Sequence, residues 1–173
     1  MPRAKSSDVL PPERLASHHD LTQFKNGRHV SLDSWLRDRA LASEGLSART
    51  YVICSAETRV VGYYAISTAM AHRSALPTAK LRRDMPDEIP LLLIGRLAVD
   101  ASHQGRGLGT DLLIDALRRC LVAAETAGAR GVITHAIDDA AVAFYERHGF
   151  VRCALAERTM LMPIEIVRAL VME

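Results

Sequence analysis

The 173-residue chain carries 22 Lys and Arg against 20 Asp and Glu, for a net charge of +2, with 49% hydrophobic and 24% charged residues. These proportions exclude disordered and fibrous classes and fit one compact domain over 1–173 with a substantial core. The three cysteines, Cys54, Cys120 and Cys153, are odd in number, far apart and set in apolar stretches, so they read as buried thiols rather than as a disulfide framework or a metal site.

The start, MPRAKSSDVLPPERLASHHD, lacks an apolar stretch of signal-peptide length, and no later run approaches the ~20 residues that span a bilayer. A cytoplasmic protein with no membrane contact is expected. Ser31 is placed to cap a helix carrying Leu32, Trp35, Leu36, Arg39 and Ala40 at helical spacing, ended by Gly45. TYVICSA and VVGYYAIS, separated by Glu57, Thr58 and Arg59, predict an antiparallel hairpin. The proline-punctuated connection that follows holds Arg73, Lys80, Arg82 and Arg83 with no acid between them, which fits either a solvated loop or a surface facing phosphates.

IPLLLIGRLAVD reads as a central strand covered on both faces. Leu112, Leu113, Ala116, Leu117, Cys120, Leu121 and Ala124 then recur at three- and four-residue steps, predicting a long amphipathic helix stopped by Gly128. GVITHAI predicts a buried strand, DDAAVAFYERHG a helix ended by Gly149, and FVRCAL and RTMLMPI late strands. The sum is an α/β (α+β) domain with a mixed central sheet of about six to seven strands flanked by helices.

Between the central strand and the long helix lies VDASHQGRGLGT, with three of the chain's ten glycines in five positions. A strand, a glycine turn and a helix start together present main-chain N–H groups at the positive end of a helix dipole, a ready site for phosphate oxygens. No Gly-Lys-Ser/Thr follows, so a Walker loop is disfavoured, and the spacing is not that of a dinucleotide fingerprint.

Gln104, Gly107 and Gly109 form Q-x-x-G-x-G, and AFYERHGF follows after a further strand and helix start. In this order the two motifs resemble the GNAT superfamily of acyl-CoA N-acyltransferases. LDSWLRDRA, RTYVICSAETRVVGYYAIS, LLLIGRLAVDASHQGRGLG and HAIDDAAVAFYERHGF are similar, in turn, to the acetyltransferase toxins of the TacT and AtaT type. The family often shows Cys-Gly ahead of the LDxWL segment, where this chain has Asn26 in the Cys place.

The resemblance implies a GNAT fold and acetyl-CoA as cosubstrate. It also implies transfer to the α-amino group of an aminoacyl-tRNA, which blocks translation, with a ribbon-helix-helix antitoxin and a second copy of the chain as partners. Gln104, Gly105, Arg106, Gly107, Leu108, Gly109 and Thr110 would hold the pyrophosphate. Leu97, Ala98 and Val99 would contact the acyl and pantetheine groups, with Phe144 also on the cofactor, and Tyr145 would donate to the departing thiolate. Lys80, Arg82, Arg83 and Arg96 would grip tRNA phosphates. An N-acetyltransferase for a small amine, and a CoA-holding binding module, are the alternatives.

The residues add two constraints of their own. Across residues 91–99 there is no carboxylate to serve as a base. A lysine amine, with reference pKa ~10.4, needs one, whereas an α-amino group near ~8 is already neutral in roughly one molecule in ten at pH 7. His135 or Asp138 remain open as bases from elsewhere, His135 reading first as a satisfied strand histidine. Arg96, inside an apolar strand, has to meet a carboxylate, a carbonyl or a ligand phosphate, a structural ion pair being the commoner outcome.

Overall fold

The computed structural model describes residues 8–173; the first seven residues of the segment read for a leader lie outside the described residues. Seven strands, β1 (Glu13–Arg14), β2 (Arg49–Ser55), β3 (Arg59–His72), β4 (Glu88–Val99), β5 (Gly131–His135), β6 (Val151–Arg152) and β7 (Thr159–Pro163), form one sheet. Their order is β1-β2-β3-β4-β5-β7-β6. The β4–β5 pair is parallel, while β1–β2, β5–β7 and β6–β7 are antiparallel, so the sheet is mixed as expected. The helices are α1 (Val30–Asp38), α2 (Ala40–Ser43), α3 (Ala79–Arg82), α4 (Leu108–Ala127), α5 (Asp139–Arg147) and α6 (Ile164–Val171). Among the described residues no helix is long and apolar enough to cross a membrane.

The chain divides into two compact units. The first comprises the described chain up to Ala65 together with Arg96–Asp115. Its core joins Leu15, Phe24, Leu36, Ala40, Val52, Cys54, Val60, Tyr63 and Ala98, with Leu32 and Trp35 packed against it. The second comprises Ile66–Gly95 and Ala116–Glu173, with a core of Ala71, Leu76, Leu81, Ile89, Leu91, Ile133, Cys153 and Leu161. All three cysteines are buried free thiols.

Several local features differ from the sequence reading. Ser31 lies inside α1, whose N-cap is His29 with no side-chain cap bond. The single helix expected up to Gly45 is two, because Arg39 leaves helical backbone at φ −126° between α1 and α2. β3 runs on to His72, taking in part of the segment read as connection, and α3 follows behind Thr78, whose hydroxyl accepts from the Leu81 amide. β4 is not covered along its whole length. Leu91, Leu92 and Ile94 are buried, but Gly95 is exposed and Leu97 and Val99 are only half-buried, so one face of its last turns stays open. The late strand read from Phe150 shrinks to two residues, and the chain ends in α6, which was not foreseen. α6 is anchored at its start by Arg130, which places Nη1 2.8 Å from both carboxylate oxygens of Glu165.

Candidate active site

The glycine turn and its supports belong to the first unit. β4 ends at Asp100, whose main-chain N–H donates to the Val61 carbonyl. The Asp100 carboxylate accepts from the Lys25 amide (2.9 Å) and from both the amide and the hydroxyl of Ser102 (3.0 and 2.6 Å). Burial pushes this carboxyl up, but those donors and the Arg59 charge outweigh it and hold it below its ordinary value. Gln104 follows, its side-chain amide donating to the carbonyls of Asn26 (2.7 Å) and Val99 (2.9 Å).

Gly105 and Gly107 both take left-handed backbone, at φ +77° and +83°, and a Cβ at either would meet nothing within 4 Å. Conformation rather than crowding therefore requires glycine there. The Asp111 amide donates to the Gly107 carbonyl as α4 begins, so the amides of residues 105–109 precede the helical bonding pattern. Gly109 is the second residue of α4 and has ordinary helical backbone; Leu108 is buried, Gly109 and Thr110 are half-buried, and Arg106 is exposed. Leu97 and Val99 lie on the open face of β4, while Ala98 turns into the core.

Asn26 is the hub beneath this turn. It is 5% exposed, and its side-chain oxygen accepts from the amides of Arg28 and His29 while its amide group donates to Asp33 and to the His29 carbonyl. Its main-chain N–H also donates to Asp33. A sequence signal for this hub existed only in the family comparison, as the Asn in the usual Cys place.

The ion pair expected for Arg96 is not formed: among the described residues no carboxylate meets it. Its guanidinium carbon instead lies 4.2 Å from the centroid of the Trp35 ring. Trp35 stacks on Tyr63, whose hydroxyl donates to the Leu32 carbonyl. An aromatic face offers a half-buried cation an electrostatic partner without a second charge, and burial pulls the guanidinium below its ordinary value.

The second unit carries the tyrosine. Asp138 caps α5 by accepting from the Ala141 amide (2.7 Å), and Tyr145, two turns on, is 6% exposed. Its ring packs edge-on against Phe144 and Phe150, each at 5.2 Å between centroids. Burial pushes the phenol above its ordinary value, opposed by a hydrogen bond with the Thr134 side chain. Phe144 is half-buried and its carbonyl lies 2.7 Å from His148 Nδ1. His135 is exposed at the end of β5 with Nδ1 2.7 Å from the Thr159 hydroxyl, so His135 and Asp138 both have structural partners.

The basic connection divides in two. Arg73 pairs with Asp87 (3.1 Å) and donates to the Met85 carbonyl, and Arg82 donates to the Leu76 carbonyl (2.6 Å). Lys80 and Arg83 are exposed cations, Lys80 lying within electrostatic reach of Glu165. Outside these groups, Glu13, His19 and Cys54 bring their ligand atoms within 4.8 Å of one another. The His19 ring is already engaged there, Nε2 at 2.8 Å from Glu13 and Nδ1 accepting from the Ala16 amide.

A mixed seven-stranded sheet, an amide-rich glycine turn opening a helix off its central strand, and a buried tyrosine on a later helix define an acetyltransferase. The family model described as "Acetyltransferase (GNAT) domain" matches residues 47–152, and the chain belongs to that family. It is 44% identical over 146 residues to the "tRNA-acetylating toxin" of Mycobacterium tuberculosis (strain ATCC 25618 / H37Rv), covering 83% of this chain and 86% of that one. Among solved structures it is similar to AtaT complexed with acetyl-methionyl-tRNAfMet, with a TM-score of 0.86 and 28% identity over 94% of this chain and 99% of that chain. A tyrosine-to-phenylalanine mutant of AtaT, bound to the C-terminus of the antitoxin AtaR and acetyl-CoA, has a TM-score of 0.79 and 25% identity over 96% and 99%.

Proposed function

We propose that this N-acetyltransferase is a toxin that moves the acetyl group of acetyl-CoA onto the α-amino group of an aminoacyl-tRNA and so blocks translation. The observation that carries this reading is the 44% identity to a tRNA-acetylating toxin over most of both chains.

The residues support a division of labour. The turn from Gln104 to Thr110 binds the pyrophosphate of acetyl-CoA through its amides, and the open face of β4 at Leu97 and Val99 receives the apolar acyl and pantetheine groups, with Ala98 backing them and Phe144 beside the cofactor. Attack by the neutral amine expels a thiolate, and Tyr145, kept protonated by burial, gives it a proton. With no carboxylate on residues 91–99, the acceptor is an amine already neutral in a useful fraction at pH 7, as an α-amino group is. Lys80, Arg82, Arg83 and Arg96 hold acceptor-end phosphates, which gives affinity without sequence preference.

The protein acts in the cytoplasm, where charged tRNA is found. An antitoxin restrains it, of the ribbon-helix-helix class, and two copies of the chain work as a dimer. The test is to incubate the protein with acetyl-CoA and charged tRNA and to digest with nuclease. N-acetyl-aminoacyl-adenosine by mass spectrometry is the expected product. Its absence, with acetylation of polyamines or other small amines instead, would overturn the reading.

A further inference from the structure

Strand β5, Gly131–His135, has four buried residues followed by exposed His135, and Thr134 is 2% exposed among them. Valine has the same shape and suits such a strand better, so a hydroxyl buried there needs partners. It has two. Thr134 Oγ1 donates to the Ile94 carbonyl of the neighbouring strand at 2.9 Å, and its side chain is hydrogen-bonded to the Tyr145 phenol. Since the single Thr134 proton is committed to Ile94, the resting phenol donates to Thr134 Oγ1.

We propose that Thr134 is a positioning residue for the proton donor: its hydroxyl, seated on the Ile94 carbonyl, fixes the Tyr145 oxygen and turns to donate to it as the phenol surrenders its proton. This rests on the reading of Tyr145 as that donor. The amine nitrogen bonds to the thioester carbon, the carbon–sulfur bond breaks, and the thiolate takes the Tyr145 proton. The nitrogen then loses its extra proton to water, which returns one to the phenolate, so the products are an amide and a free thiol with no net proton change.

The chemistry of the pair explains why a hydroxyl is used. A phenol flanked by Phe144 and Phe150 ionises with difficulty, because burial penalises the phenolate. A group that accepts from the phenol and donates to the phenolate serves both states, and only a hydroxyl does this in the volume of a valine. Giving up the neutral bond to Ile94 for a bond to an anion favours the ionised state, since hydrogen bonds to charged groups are the stronger.

The test compares Thr134→Val, Thr134→Ser, Tyr145→Phe and the Thr134→Val/Tyr145→Phe double variant in acetylation of charged tRNA. We expect Thr134→Val to lower kcat roughly ten- to a hundredfold, the scale of one hydrogen bond to a charged group, with KM for acetyl-CoA unchanged. Thr134→Ser should regain most of that rate, and the double variant should be no slower than Tyr145→Phe alone. An equal loss from Thr134→Val in both Tyr145 backgrounds, or a loss confined to KM, would overturn the positioning role while leaving Tyr145 as the donor. A Tyr145→Phe protein as fast as the wild type would remove the donor reading itself, and this proposal with it. The serine rescue and the kcat-against-KM split stand even where the double variant is too slow to time.

Discussion

Gln104 and Asn26, 78 positions apart in the chain, are joined by a 2.7 Å hydrogen bond from the glutamine side-chain amide to the asparagine main-chain carbonyl. The same amide group reaches the Val99 carbonyl, so the side chain that begins the glycine turn ties it both to the end of β4 and to the segment before α1. In Gln104→Ala both carbonyls lose their donor and the turn its anchor. The expected result is a KM for acetyl-CoA raised about tenfold with kcat little changed, the scale of one to two lost hydrogen bonds. Steady-state kinetics at saturating charged tRNA measure it.

Gly107→Ala tests the turn differently. With φ at +83° and no atom within 4 Å of the added Cβ, its cost is conformational, about 1–2 kcal/mol. Gly131→Ala is the contrasting case, because its Cβ would sit 2.7 Å from the Met162 carbonyl oxygen on β7, and overpacking costs about 1–3 kcal/mol. Both should lower the melting temperature, but only Gly107→Ala should also weaken binding of acetyl-CoA in calorimetry.

Asp100 predicts a defined response to acid. Its folded carboxyl titrates below the ordinary 3.8, so the stability it contributes is fully present above that value and is lost as pH falls through the lower folded value. Asp100→Asn cannot accept from Lys25 and Ser102 in the same way, and leaving one of these amides unpaired costs roughly 1–3 kcal/mol. Urea denaturation at pH 7 should show that loss in full, with the difference from wild type shrinking below pH 4.

Cys54 and Cys120 should be silent towards thiol reagents while the protein is folded. Burial pushes Cys54 up to about 11, with the Glu13 charge adding to it, and pushes Cys120 up to about 12. At pH 8 both are thiols rather than thiolates and are 1% and 0% exposed. A chromogenic disulfide reagent should find neither until denaturant is added; rapid labelling of the native protein at either site would contradict this.

Arg96→Lys keeps the charge and loses the planar face over Trp35. Acetylation of charged tRNA should fall about tenfold in kcat/KM, the size of one strong polar contact. The salt dependence of that rate should also change, as it does when a phosphate contact is altered.

Much of this fold can be read from residue order alone. The three- and four-residue steps from Leu112 to Ala124 correspond to α4, and the alternation around Val60 belongs to β3, because burial of one face imposes those periods. Q-x-x-G-x-G and AFYERHGF mark the turn and the tyrosine helix for the same reason that they mark the family: the backbone there permits few other residues. Asn26 was visible only as an oddity, since its importance lies in bonds to residues distant in sequence. The partner of Arg96 could not be inferred either, because a cation in an apolar strand gives no sign of whether it meets a carboxylate or a ring. Thr134 was hidden in GVITHAI for a related reason. A threonine suits a strand on propensity alone, and only the folded chain sets Ile94 and Tyr145 beside it.

Trp35 is the sole tryptophan of the chain, and a guanidinium lies 4.2 Å above its indole. Fluorescence excited at the red edge therefore comes from one place, next to a cation whose withdrawal towards an arriving anion alters the emission. The protein thus carries an optical gauge of its own on β4, readable without a dye and independent of turnover.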